Sequence, residues 1–161
     1  MPDKKRIYDT VVSNGQLGDY YHSISDPKSK GLNFSVRIPL GFETEDEIRP
    51  GIIKKWTKID DDNIIMFMIA IDKDDSYSQF SRQEWSNYLK NEGGVQDFFL
   101  ELKETEGMLN PSNPDFFVID NYPGFIFNYQ MQSQQLDSVI NNSATLIQIF
   151  YESFAFKLFL L

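Results

Sequence analysis

Between residues 33 and 39 the chain reads NFSVRIP, with Phe34, Val36 and Ile38 alternating against Asn33, Ser35 and Arg37. A period of two belongs to a half-buried strand, whose successive side chains point to opposite faces. Pro39 closes it, because proline has no N–H to give to a ladder. The next run, GIIKKWTKI, puts Ile53, Lys55, Thr57 and Ile59 on one side and Ile52, Lys54, Trp56 and Lys58 on the other. Neither side is cleanly apolar, which predicts an outer strand. After an acidic turn, DDDN at 60–63, comes IIMFMIAI at 64–71. That nearly unbroken apolar run of strand length predicts a strand covered on both faces. Upstream, IYDTVV at 7–12 predicts a short strand and SNGQLGD at 13–19 a turn.

The period then changes. SRQEWSNYLK at 81–90 opens with Ser81 and, three positions on, Glu84, the pattern of a capping box, followed by an i, i+3, i+4 stripe of Trp85, Tyr88 and Leu89. Gly93 and Gly94 end that helix. VQDFFLELKE at 95–104 predicts a second, with Val95, Phe98, Phe99 and Leu102 facing inward as core anchors. GMLNPSNPD at 107–115 is a loop, rich in residues that break regular structure. Beyond it, FFVID and FIFNYQM form a hairpin around NYPGF, where Pro123 and Gly124 stand in the order of a type II turn. LDSVINNSA at 136–144 then leads to TLIQIFY and FAFKLFLL, a third antiparallel pair separated by Glu152 and Ser153.

Strands, two helices and strands again predict an α+β protein, a largely antiparallel β-sheet packed with helices, in a single domain over 1–161. The apolar stretch KLFLL has no polar cap, and a flat apolar strand is an aggregation hazard unless it is central or covered. It predicts a C-terminal helix beyond residue 161 in a longer native chain.

Composition narrows the chemistry. A length of 161 residues, 41% apolar with 14 phenylalanines, is enough for one hydrophobic core. The absence of cysteine excludes disulfide scaffolds, thiolate metal sites and thiol nucleophiles. MPDKKRIYDT is basic but has no apolar core, so it does not read as a signal peptide, and one removed by processing is compatible with it. No apolar run approaches about 18 residues, so no transmembrane helix is predicted. Residues 1–58 carry ten Lys/Arg against eight Asp/Glu, and residues 59–161 carry five against sixteen. The acidic surface of the second part argues against nucleic acid or anionic lipid as a partner.

His22 is the only histidine, so any serine-type triad must use it, yet no nucleophile elbow accompanies it. A histidine that caps or hydrogen-bonds the following turn is the simpler reading. DKDDSYS puts Asp72, Asp74, Ser76 and Ser78 at alternate positions, as in a calcium loop, but Tyr77 stands where glycine is required and Gln83 where the bidentate Glu belongs. No metal site, cofactor or catalytic residue is assigned. Lys28 and Lys30 could grip an anion as paired ammonium groups, against the plainer reading of a solvated loop.

The stretch from Tyr20 to Lys58 resembles the opening of an uncharacterised bacterial family with an HS pair, a KSKG tetrad, a strand ending in Pro and an RP pair. Those elements fall here on His22-Ser23, Lys28-Ser29-Lys30-Gly31, Pro39 and Arg49-Pro50. The order of paired strands, helical middle and YPGF segment is similar to the PsbP-like α-β-α sandwich superfamily, which includes an extrinsic photosystem subunit. That resemblance implies a C-terminal helix on the sheet and a binding or assembly role, and transfers no catalytic residue. Three functions are compatible with all of this. The first is a non-catalytic bacterial binding or assembly module of the cell envelope or periplasm, or alternatively of the cytoplasm, presenting a sheet face or acidic edge to a protein partner. The second is a small-ligand or anion-binding protein using His22, Lys28, Lys30 and Arg49. The third is a hydrolase assisted by His22 or carboxylates.

Overall fold

The computed structural model describes residues 17–61, 63–105, 108–135 and 138–161. The strand expected at 7–12 lies outside these residues. Strands β1 (Leu17–His22) and β2 (Ser35–Pro39) form a small antiparallel sheet. The remaining strands are β3 (Glu43–Glu45), β4 (Ile52–Asp60), β5 (Asn63–Lys73), β6 (Asp115–Ile119), β7 (Tyr122–Gln135), β8 (Ser138–Tyr151) and β9 (Phe154–Leu160). They make one seven-stranded antiparallel sheet in the order β3-β4-β5-β9-β8-β7-β6. Helices α1 (Arg82–Asn91) and α2 (Gly94–Thr105) lie between β5 and β6 in the chain. The molecule is therefore α+β with a largely antiparallel sheet.

Alternation along the strands divides the core in two. On β9, Ala155 belongs to a cluster with Trp85, Leu89 and Phe99 of the helices, whereas its neighbour Phe154 belongs to a second cluster with Ile69 and Ile71. The helices thus cover one face, over β7 and β8, where Phe125, Phe127, Leu146 and Phe150 are almost fully buried. On the opposite face the small sheet packs through Ile38 and the preceding Leu32 against Trp56 and Ile69. Trp85 lies flat on Phe150, with ring centroids 4.6 Å apart and planes 17° apart, so the aromatic stripe of α1 is an anchor as its spacing predicts. The capping box forms: Ser81 Oγ accepts from the Glu84 N–H and Glu84 Oε2 accepts from the Ser81 N–H. Gly93, at φ +83°, makes the left-handed break that lets α2 begin three residues after α1 ends.

The apolar strand expected to need a covering helix is instead the central strand, paired with β5 on one side and β8 on the other. The open-edge hazard behind that expectation is therefore absent at β9. The run 64–71 is covered on both faces only in its second half: Met68 to Ile71 are buried, while Ile64 is 61% exposed.

Four local expectations are corrected. Residues Leu17 to Asp19, expected in a turn, start β1. Ile53 and Trp56, placed on opposite sides by simple alternation, share one cluster, because a register shift between Ile52 and Lys54 inserts a bulge that turns Ile53 over. On its outer side β4 is flanked only by the three residues of β3, close to the expected outer position. The hairpin turn is Asp120-Asn121, at φ +48° and +70°, the type I′ signature closing the Ile119–Tyr122 pair; Pro123 and Gly124 already lie in β7. β8 begins at Ser138, so most of the expected connection at 136–144 is strand.

Candidate functional site

The segment between β1 and β2 folds into two single 3₁₀ turns, Ser23–Ser25 and Pro27–Ser29. Ser23 is fully buried and works as a pin. Its Oγ donates to the Leu32 carbonyl at 2.7 Å and accepts from the Phe34 N–H at 2.9 Å. Asp26 caps the second turn by accepting from the Lys28 N–H at 2.9 Å, and also accepts from the Tyr21 hydroxyl at 2.8 Å. Burial and that carboxylate raise the Tyr21 phenol above its ordinary pKa. Lys30 and Gly31, at φ +53° and +88°, take the chain out through the left-handed region.

Lys28 does not face an open anion site. Its ammonium donates to the carbonyl oxygens of Glu47 and Ile52, the latter at 3.2 Å, tying the segment to the start of β4. Arg49 reaches the same Glu47 from the other side, with Nε and Nη2 on the two carboxylate oxygens at 2.8 and 2.6 Å. The paired guanidinium holds the Glu47 carboxyl down to a pKa of about 2. Lys28 and Arg49 therefore converge on Glu47 and are both occupied there. Lys30 is exposed at the end of its turn, and His22 is exposed, stacking on Tyr20 with centroids 5.9 Å apart. His22 occupies the cap position of the first turn, but its side chain makes no capping hydrogen bond. The solvated-loop reading also gives way, since Lys28 is half-buried and cross-links two segments. In the DKDDSYS stretch, Asp72 pairs with Lys157 at 2.5 Å and Asp74 caps the turn Asp75–Gln79, so the acids serve separate local partners.

Two concavities lie at opposite ends of the large sheet, and none of His22, Lys28, Lys30 or Arg49 lines either. At one end, where the β6–β7 and β8–β9 turns meet the start of α1, a cleft of about 330 Å³ is walled by Phe80, Trp85, Pro123 and Phe150 and carries Arg82 and Glu152. Arg82 is stacked over the Tyr122 ring, 4.2 Å from its centroid, and donates from Nη2 to the Tyr122 hydroxyl at 2.6 Å. Tyr151 lies against Tyr122, centroids 4.6 Å apart; the hydrogen bond with Tyr122 and the nearby Glu152 charge push its pKa up. At the other end, a groove of about 600 Å³ is lined by residues including Ile65, Gln130, Ser143 and Thr145, between the β4–β5 and β7–β8 hairpins. The cross-strand pair Ile59 and Ile64 is 77% and 61% exposed on one hairpin, and Val139 is 65% exposed on the other.

Sequence reasoning missed both regions. Arg82 opens α1, Tyr122 opens β7 and Glu152 lies in the β8–β9 turn, and only the closure of the sheet brings them together. A local signal existed for the second region: isoleucines flanking DDDN at a hairpin tip cannot all be buried.

No helix among the described residues is long and apolar enough to cross a membrane. No family model matches the chain, and no curated protein matches it. Among solved structures it is similar to cyanobacterial PsbP (CyanoP) from Synechocystis sp. PCC 6803, with a TM-score of 0.51 and 13% identity over 91% of this chain and 80% of that one. At that identity the likeness is one of fold: the chain has a PsbP-like α+β fold built on an antiparallel sheet.

Proposed function

We propose that the protein is a non-catalytic binding or assembly module of the bacterial cell envelope that docks a protein partner at the hairpin end of its sheet. The observation that carries this reading is the exposure of apolar side chains near the tips of two hairpins at the same end of the sheet, Ile59 and Ile64 on one and Val139 on the other. Exposed apolar side chains grouped on strand ends mark contact surfaces and are otherwise a liability. Asp60 and Asp61 at the same tip favour a partner that is apolar with a basic rim. We read the molecule as a variant of the PsbP-like α-β-α sandwich in which β1 and β2 supply the layer opposite the helices. The HS and KSKG elements of the bacterial family serve, in this reading, to lock that layer. Analogy with a fold whose members mostly bind or assemble supports a non-catalytic role.

The test is capture from a bacterial envelope extract with wild-type protein and the double variant Ile59→Ser/Ile64→Ser, both checked for fold by circular dichroism. A partner retained by wild type and lost by the variant is the expected result. Equal capture by both, or no partner on wild type, overturns the proposal.

A further inference from the structure

The cleft beside α1 holds two opposite charges that no described residue pairs. Among the described residues no carboxylate lies within ion-pair distance of Arg82 and no cation within that distance of Glu152, although both line the same 330 Å³ space. Arg82 is nevertheless fixed, because its guanidinium is stacked on Tyr122 and hydrogen-bonded to the Tyr122 hydroxyl. A guanidinium held this way has already lost part of its rotational freedom and keeps further N–H donors for a bidentate acceptor. Glu152 sits at φ +51° in the tight β8–β9 turn, which fixes its backbone at the cleft wall. The rest of the lining is mixed: Ser78, Ser81 and Ser153 are polar, and the exposed apolar part is chiefly Phe80, 47% exposed, which stands over the edge of the buried Trp85 with centroids 5.1 Å apart.

These features select a ligand. A simple anion would satisfy Arg82 but meet the charge of Glu152, and a simple cation would meet the reverse. A zwitterion satisfies both. The volume stands at the small end of metabolite sites, which run from about 300 to 1,000 Å³, and is too small for a folded partner. The aromatic wall suits an apolar or aromatic body between or beside the charged groups.

We propose that this cleft binds a free amino-acid zwitterion with an apolar or aromatic side chain, its carboxylate on Arg82, its ammonium on Glu152 and its side chain against Trp85 and Phe80. The cleft lies at the opposite end of β8 from the hairpin tips, so this binding is independent of the docking role proposed above.

The test is isothermal titration calorimetry with L-phenylalanine and L-leucine, supported by the fluorescence of Trp85. Two analogues each lack one charge: 3-phenylpropanoate and 2-phenylethylamine. Saturable binding of at least one amino acid is expected, with its affinity reduced about tenfold or more in Arg82→Gln and in Glu152→Gln, as for the loss of a charge-assisted hydrogen bond. Each phenyl analogue is expected to bind more weakly than L-phenylalanine by a similar factor, and the exposed Lys90→Gln, near the far end of α1, to bind as wild type. Absence of saturable binding by both amino acids up to about 10 mM, where even a millimolar Kd would register, overturns the proposal. Binding that is unchanged in folded Arg82→Gln or equal for the one-charge analogues overturns it as well.

Discussion

The buried hydroxyl of Ser23 donates to the carbonyl oxygen of Leu32 at 2.7 Å across nine residues of chain. Because Ser23 Oγ also accepts from the Phe34 N–H, one atom closes the whole segment between β1 and β2. Replacing Ser23 by Ala leaves two backbone groups without that partner, and is expected to lower unfolding stability by about 2 kcal/mol. Exposed His22→Ala is expected to change it by less than about 0.5 kcal/mol. Urea unfolding of the two variants checks this, and equal stabilities would show that the serine of the HS pair is not the pin.

Gly124 is needed for space. A Cβ there would stand 2.4 Å from the Gln148 carbonyl oxygen and 2.8 Å from the Phe117 ring, and the first of these is backbone inside the sheet. Gly124→Ala is expected to cost about 3 kcal/mol or to prevent folding. At Gly94 the obstacle is the Tyr88 ring, at 2.5 Å, a side chain and not sheet backbone, so Gly94→Ala is expected to cost less than Gly124→Ala, chiefly through the Tyr88–Asp97 hydrogen bond that a displaced ring would lose. Thermal melts of the pair give the comparison directly.

Gln148 is 2% exposed, and its Oε1 has no hydrogen-bond partner among the described residues. An unpaired buried amide oxygen costs stability, so Gln148→Leu is expected to raise the free energy of unfolding by about 1 kcal/mol. A destabilised Gln148→Leu in chemical denaturation would mean that the amide makes an essential bond.

The Glu47–Arg49 pair gives a pH signature. The Glu47 carboxyl has a pKa of about 2 in the folded protein against an ordinary 4.5, so the folded state favours its ionised form. Its contribution is complete above the ordinary value and is lost as pH falls from there toward the folded value. Glu45, lowered by its bond to Lys55 and then by Thr57, acts in the same direction. In urea titrations over that acid range, Glu47→Gln is expected to flatten the loss of stability relative to wild type. An unchanged pH slope would remove Glu47 as a source.

Much of the architecture is legible in the chain because it depends on near neighbours. Alternation at Phe34, Val36 and Ile38 and the Ser81–Glu84 box are set within a few residues, and both formed. The bulge at Ile53 was not legible, because it exists only where β5 imposes a register on β4. The hairpin turn was misread for a different reason: Pro123-Gly124 is the louder turn signal, yet Asp120-Asn121 tolerates the left-handed backbone that a two-residue hairpin needs. The role of Lys28 depends on carbonyl groups at Glu47 and Ile52, about twenty residues away, and nothing local announces it. Residues of the aromatic cleft are farther apart still.

The position of β9 sets the order of assembly. Lys157 and Asp72, paired across β9 and β5, are separated by 85 residues. The β4–β5 and β7–β8 hairpins can each form soon after synthesis, but the sheet stays in two unjoined halves until β9 slides between them. Until that late event the inner edges of β5 and β8 are bare, and closing so long a loop is slow. A nascent chain stalled before β9 would carry two bare strand edges at once, the kind of surface on which chains pair with one another.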